Sequence, residues 1–403
     1  MTPDRRPPSS EGARPADPRS PADSSDAVSS DTERSAQLVS LIRAEIESSP
    51  SRRITFAKFM EHALYEPALG YYRQAADRPT EAGDFLTAPE THAIFGWTVA
   101  RRIEAMWAEL GRPRPFHLIE YGAGSGTLAV SILDGLRRRD SKDMLDSIRY
   151  QPIESNPRRL DDLRRRFEKD GFAERLADIG APTDEVVPVT GVILANEFLD
   201  ALPVHRVVFR GGELLELFVV WRESAGGGFA EIAAEPSTPE LAARLADDGV
   251  ELAEGQVAEI CLELDPWLRG VASRLARGCV LAIDYGYDAA ELYGPRRLAG
   301  TLLGYRGHRV EENPFADPGL VDLTAHVDFT AVGRLAEGHG LLTVSLTTQS
   351  EFLVVAGLEG EWRAFQATPG LSAADYTRAR SGIVRMLDPR HMGRFRVLVM
   401  ARR

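Results

Sequence analysis

Cysteine is nearly absent from this chain. The 403 residues hold only Cys261 and Cys279, with no C-x-x-C pair and no neighbouring histidine. That excludes a disulfide framework and a structural zinc site, and makes a reducing cytoplasm the expected setting. Lysine is almost as scarce, occurring only at Lys58, Lys142 and Lys169, so arginine carries nearly all the positive charge. No apolar run reaches the roughly 18 to 20 residues of a membrane span. The run Val280-Leu-Ala-Ile283 breaks off at Asp284, and membrane insertion is not expected. The eight histidines form no H-x-x-x-H or H-E-x-x-H pattern, so no metal is expected. Positive charge is in deficit overall: the formal net charge of −12 disfavours a nucleic-acid partner and favours a basic substrate.

What the chain does have is glycine in one informative place. Phe116-His-Leu-Ile-Glu120-Tyr-Gly122-Ala-Gly124-Ser-Gly126-Thr127 runs an apolar strand pattern into three alternating glycines, and then into the helical pattern Leu128-Ala-Val-Ser-Ile-Leu133. Glycine tolerates positive φ and admits a ligand where a Cβ would block it. The helix start beyond it offers unpaired N–H groups. A nucleotide-like cofactor is the first expectation, and a loop that merely turns the chain is the alternative.

The spacing G-x-G-x-G, with Thr127 where the dinucleotide fingerprint ends in glycine, argues against a pyrophosphate. Glu120, two residues before Gly122, would repel a pyrophosphate but suit a ligand carrying a sulfonium and an ammonium. S-adenosyl-L-methionine carries both. The segment Ile148-Arg-Tyr-Gln-Pro-Ile153 ends at Glu154, where a carboxylate accepts both ribose hydroxyl protons at the tip of a second parallel strand. Strand, glycine loop, helix, strand and acid in this order predict the nucleotide-binding half of a doubly wound α/β sheet.

With 43% hydrophobic residues the chain can bury a large core, and its length suits two or three domain-sized pieces. Residues 1 to about 34 hold few large apolar side chains and read as a disordered tail, too rich in acids for a mitochondrial presequence. Residues 35–110 read as a helical segment containing Gly70-Tyr71-Tyr72 and the loop Gly83-Asp84-Phe85-Leu86-Thr87-Ala88-Pro89-Glu90. Asp84 and Glu90 are either site acids or charges at a helix N-terminus. Residues 111–403 read as the core, with a β-hairpin and helical insertion at about 204–262 and a polar loop from Tyr305 to Val327. The apolar strand Gly191–Ala195 stops at Asn196-Glu197-Phe198-Leu199-Asp200, and another stops at Asp284-Tyr285. Ligands bind beyond the carboxyl ends of such strands, so these groups are expected at the reaction edge. For Glu197 and Asp200 the competing role is to cap the helix after the strand. His205 is expected to be structural.

With the glycine loop, GDFLTAPE, NEFLDALPVH, IDYGY and DLTAHVDF in this order, the chain from about residue 37 onward resembles the MidA-like (DUF185) methyltransferases, the family of the mitochondrial complex I assembly factor that methylates an arginine. The resemblance implies a class I, Rossmann-like fold with N-terminal helices and inserted segments, with S-adenosyl-L-methionine as donor. Through its studied mitochondrial member it also implies a protein arginine acceptor, on a complex I subunit or its bacterial counterpart. It maps Glu120, Gly122, Gly124, Gly126 and Glu154 onto the donor site. Glu197 and Asp200 become the acids that hold and deprotonate a guanidinium, with Asn196 positioning donor or acceptor, and Asp84, Glu90, Asp284 and Asp322 lie further out on the acceptor side. Where family members read L-G-P-G-R-G-T, this chain has Tyr121-Gly-Ala-Gly-Ser-Gly-Thr127, which keeps the glycines and loses an arginine. A methyltransferase for a small O- or N-nucleophile, and a non-catalytic assembly module, are the competing functions.

Overall fold

The computed structural model describes residues 21–74, 87–177, 187–223, 227–307 and 309–403. Its centre is a six-stranded sheet whose strands, numbered in chain order, are β1 (Phe116–Tyr121), β2 (Ile148–Ile153), β3 (Val189–Asn196), β4 (Leu275–Asp284), β5 (Leu342–Thr348) and β6 (Arg396–Arg402). The spatial order is β5-β6-β4-β3-β1-β2. β2, β1, β3 and β4 run parallel, while β6 is antiparallel to both β4 and β5. The parallel strands are apolar in near-continuous runs because both faces are covered. Leu118, Tyr150, Val192 and Leu281 pack on one face with the helices Ile94–Glu109 and Thr127–Arg138. Ile119, Ile193, Val280 and Leu398 pack on the other with Leu264–Arg274 and Phe329–Gly338. This is the doubly wound sheet that the sequence predicts.

The expected hairpin is present. His205–Arg210 and Glu213–Arg222 pair antiparallel around Gly211 and Gly212, whose φ angles of 65° and 82° suit the turn that matches strand twist. It belongs to a second, antiparallel sheet with Ile54–Thr55, Gly228–Ala234 and Val257–Ile260. The N-terminal helices Pro21–Ser48 and Phe56–Tyr65 cover this sheet, burying Leu38, Ile42, Phe56, Phe59 and Met60 with Val204 and Val219. The stretch 35–110 therefore divides between two cores, since Ile94–Glu109 packs on the central sheet.

Two expectations are corrected. The first helix begins at Pro21, so residues 21–34 are helical where a tail was expected. Leu38, Ile42 and Ile46 anchor its C-terminal half, and each residue added to an existing helix costs little. Residues 305–327 are also not simply a loop. Leu303–Arg306 pairs antiparallel with Arg309–Glu311 and with Asp322–Thr324, bringing Tyr305 opposite Asp322.

Candidate active site

Gly122, Gly124 and Gly126 all adopt positive φ, at 66°, 54° and 77°. A Cβ on Gly122 would fall 3.2 Å from the Phe198 ring, so bare backbone lets the residue after β3 pack closely on the loop. A Cβ on Gly126 would sit 2.9 Å from Leu163, which lets the helix Pro157–Lys169 close on the loop. Glu154, half-buried just past β2, accepts from the Gly124 amide at 2.9 Å and from the Asn156 amide at 2.8 Å. Asn156 caps the helix Pro157–Lys169 through Arg158 N, and its side-chain amide donates to the Tyr72 and Arg73 carbonyls at 2.7 and 3.0 Å. With Pro157 in the first turn, Asn156 makes a regular helix start. Its second role, gripping residues 72–73, had no sequence signature.

Glu120 departs from expectation. It is 4% exposed and accepts from the Tyr150 hydroxyl at 2.6 Å, across the β1–β2 pair. Burial pushes its carboxyl up to about 8, against the opposing hydrogen bond from Tyr150, so it is largely protonated at neutral pH. Its hydrogen bond fastens the two strands.

At the ends of β3 and β4 three carboxyls converge. Asp284, fully buried, accepts from the backbone amides of Phe198, Leu199 and Asp200 at 3.0, 2.8 and 3.3 Å, and from Tyr285 N at 2.9 Å. It thereby secures the 3-10 turn Leu199–Ala201. This corrects its assignment as a substrate contact: Asp284 performs the backbone-holding role that had been considered for Glu197 and Asp200. Those two are left for other work.

Glu197 sits at φ 50°, a left-handed conformation uncommon outside glycine. Its Oε1 accepts from Ala88 N and from the Asn196 side chain, both at 3.2 Å, while Oε2 is buried without a partner among the described residues. Burial first, then Asp200, pushes the carboxyl up to about 8. Asp200, 6% exposed, accepts from the Tyr285 hydroxyl at 2.6 Å, and burial raises it to about 6. Among the described residues the Asn196 Oδ1 is also buried and unpartnered.

The outlying acids fare differently. Glu90 accepts from Thr87 N in a capping box on the short helix Ala88–Thr91, which is the scaffold role. Asp322 accepts from the Tyr72 hydroxyl at 2.8 Å. Asp84 lies outside the described residues. His205 is structural as expected, its Nδ1 bonded to Glu216 at 2.7 Å.

Parallel strands, a left-handed glycine loop and an acid at the next strand tip define a nucleoside-binding enzyme of the class I methyltransferase type. The chain matches the family model described as S-adenosyl-L-methionine-dependent methyltransferase over residues 98–347, and it belongs to that family. It is similar to a COG1565-superfamily protein of Burkholderia thailandensis, whose crystal structure is bound to S-adenosyl-homocysteine. Identity to that protein is 31%, the TM-score is 0.81, and 93% of this chain and 94% of that one are covered. It is also similar to the mitochondrial protein arginine methyltransferase NDUFAF7 homolog of Drosophila melanogaster, 28% identical over 90% of this chain and 84% of the relative. NDUFAF7 of Mus musculus is 29% identical, with 84% and 79% covered. The protein is an S-adenosyl-L-methionine-dependent methyltransferase. The Glu154 carboxylate beside the glycine loop, held by the Gly124 and Asn156 amides, has the acceptor chemistry that the ribose hydroxyls of that donor require. Among the described residues no helix is long and apolar enough to cross a membrane.

Proposed function

We propose that the chain is a protein arginine N-methyltransferase, with a subunit of respiratory complex I (NADH dehydrogenase) or its bacterial counterpart as acceptor. The observation that carries this reading is Glu197. Its carboxyl is buried, held on a strained backbone and, among the described residues, orphaned at Oε2 and flanked by two more acids whose hydrogen-bond partners are all neutral. Buried carboxyls without a counter-ion are costly, and a cationic ligand removes that cost. A guanidinium stays protonated at neutral pH and presents flat N–H donors that match carboxylates. The names of the mitochondrial relatives agree with it.

In this reading Gly122, Gly124, Gly126 and Glu154 hold the donor, and Asn196 lies between the donor and acceptor sides. When bound, the donor supplies an electrophilic methyl group on sulfur. The remaining task is alignment, plus removal of one proton from the attacking nitrogen. We assign the proton to Glu197 Oε2, and orientation of the guanidinium to Glu197 and Asp200 together. The test is to incubate the protein with radiolabelled donor and a lysate of cells lacking the gene, then hydrolyse the labelled product. Label in methylarginine of a protein band is expected. Label confined to small molecules, or binding without transfer, would reject the proposal.

A further inference from the structure

Gly70-Tyr71-Tyr72 is not accounted for by donor binding or by the acids. A Cβ on Gly70 would lie 2.5 Å from Glu66 N and 2.8 Å from the Glu66 and Leu64 carbonyls, so only glycine permits the tight turn after the helix Phe56–Tyr65. That turn sets Tyr65 and Tyr72 side by side, ring centroids 5.5 Å apart and planes at 31°. Tyr71 is buried and meets the Tyr72 ring edge-on at 5.2 Å.

Both hydroxyls are tied down. Tyr65 donates to the Ala201 carbonyl at 2.8 Å, beside Asp200, and Tyr72 donates to Asp322 at 2.8 Å. The Tyr72 backbone is held from the donor side by Asn156, two residues beyond Glu154. Tyr65 thus contacts the turn that carries Asp200, and Tyr72 is joined through Asn156 to Glu154, so the pair links the donor acid to the segment after β3. Neither side chain can swing away without breaking a hydrogen bond, and the two half-buried rings brace each other.

We propose that Tyr65 and Tyr72 form the aromatic wall of the acceptor pocket, packing flat against the guanidinium-bearing side chain of an arginine in a polypeptide while carboxylates take its N–H donors. This rests on the arginine reading above. A planar, weakly hydrated guanidinium gains from stacking on an aromatic face, which a strongly hydrated ammonium exploits less and a neutral nucleophile not at all. Asn156 is then a positioning residue, fixing Tyr72 relative to Glu154.

The test uses the full chain, labelled donor and the gene-deleted lysate at increasing concentration, with methylarginine formation as the readout and calorimetric S-adenosylhomocysteine affinity as the measure of an intact donor site. The contrast is phenylalanine against leucine at each position. Tyr72→Phe and Tyr65→Phe keep the face and are expected to raise the half-saturating lysate concentration less than about threefold. Tyr72→Leu and Tyr65→Leu keep apolar bulk and are expected to raise it about tenfold or more with donor affinity intact. Equal half-saturation for the Phe and Leu variants would overturn the wall while leaving the arginine reading standing. Absence of methylarginine with the wild-type chain would overturn that reading, and the wall with it.

Discussion

Glu154 Oε2 accepts from the Gly124 amide at 2.9 Å, so the acid at the tip of β2 and the middle glycine of the loop form one unit even without a ligand. The carboxylate is thereby aimed, since its other oxygen is held by Asn156 N. A carboxylate oxygen retains further lone-pair sites for ribose hydroxyls. Charge-assisted hydrogen bonds of this kind are worth about 1.5–3 kcal/mol each. Glu154→Ala should therefore weaken S-adenosylhomocysteine binding by roughly ten- to a hundredfold. Isothermal titration showing affinity within twofold of wild type would remove Glu154 from the donor site.

Gly124 itself is held at φ 54°, and a side chain there would bring its Cβ to 3.2 Å from Arg159 Nη1. A β-branched residue suffers most in this backbone region, at a cost of about 1–3 kcal/mol, and it also intrudes on the loop. Gly124→Val should lose at least about tenfold in donor affinity. A thermal shift with S-adenosylhomocysteine equal to that of the wild type would refute the loop assignment.

Glu120 makes a pH prediction of definite sign. Its folded carboxyl sits at about 8 because it is buried, well above its unfolded value. Between those two values the folded state holds a proton that the unfolded state has released, so stability is greatest at the acid end and falls as pH rises toward 8. The slope from one such group is at most about 1.4 kcal/mol per pH unit. Denaturant unfolding at pH 5.5, 6.5 and 7.5 should show a shallower decline in Glu120→Gln, whose amide oxygen still accepts from Tyr150. Identical slopes would mean that Glu120 is ionised in the folded protein.

The order of elements was readable because it rests on local signals: apolar runs for β1 to β4 and three glycines for the loop. The division of labour among the acids was not. Asp284 serves backbone amides 84 to 86 positions away, and Tyr72 finds Asp322 across 250 positions. A strand-terminal acid that satisfies a neighbouring turn looks in sequence the same as one facing a ligand. The burial of Glu120 was hidden for a related reason, since nothing local in the sequence shows that Tyr150 and the covering helices remove its solvent access. The helix from Pro21 was missed because nothing in its first turns announces a buried face.

Asp284→Asn tests that division. Asparagine keeps one acceptor oxygen where the carboxylate engages four backbone amides, so part of the turn loses its partners. Unsatisfied buried amides cost about 1–3 kcal/mol each. The expected result is a destabilisation of about 2–4 kcal/mol in denaturant unfolding, with S-adenosylhomocysteine affinity within about threefold of wild type. Unchanged stability would return Asp284 to the ranks of ligand contacts.

Glu197 separates the acceptor chemistry from everything else. Its carboxyl sits at about 8 in the acceptor-free protein, so below that pH most molecules carry a proton on the group that must pair with a cation. Capture of a guanidinium then requires loss of that proton. For a single required deprotonation, kcat/KM for the acceptor rises about tenfold per pH unit and levels off near the free enzyme's value. The wild-type profile of methyl incorporation from pH 6 to 9 should climb and flatten at about 8. Glu197→Gln cannot ionise: its profile should lose that limb and its rate should fall by about 10²- to 10⁴-fold, the usual worth of a positioned acid or base. Donor affinity should be nearly unaltered, because the Glu197 bonds run to Ala88 and Asn196 and not to the glycine loop. A flat wild-type profile, or an unslowed glutamine variant, would exclude Glu197 from the transfer step.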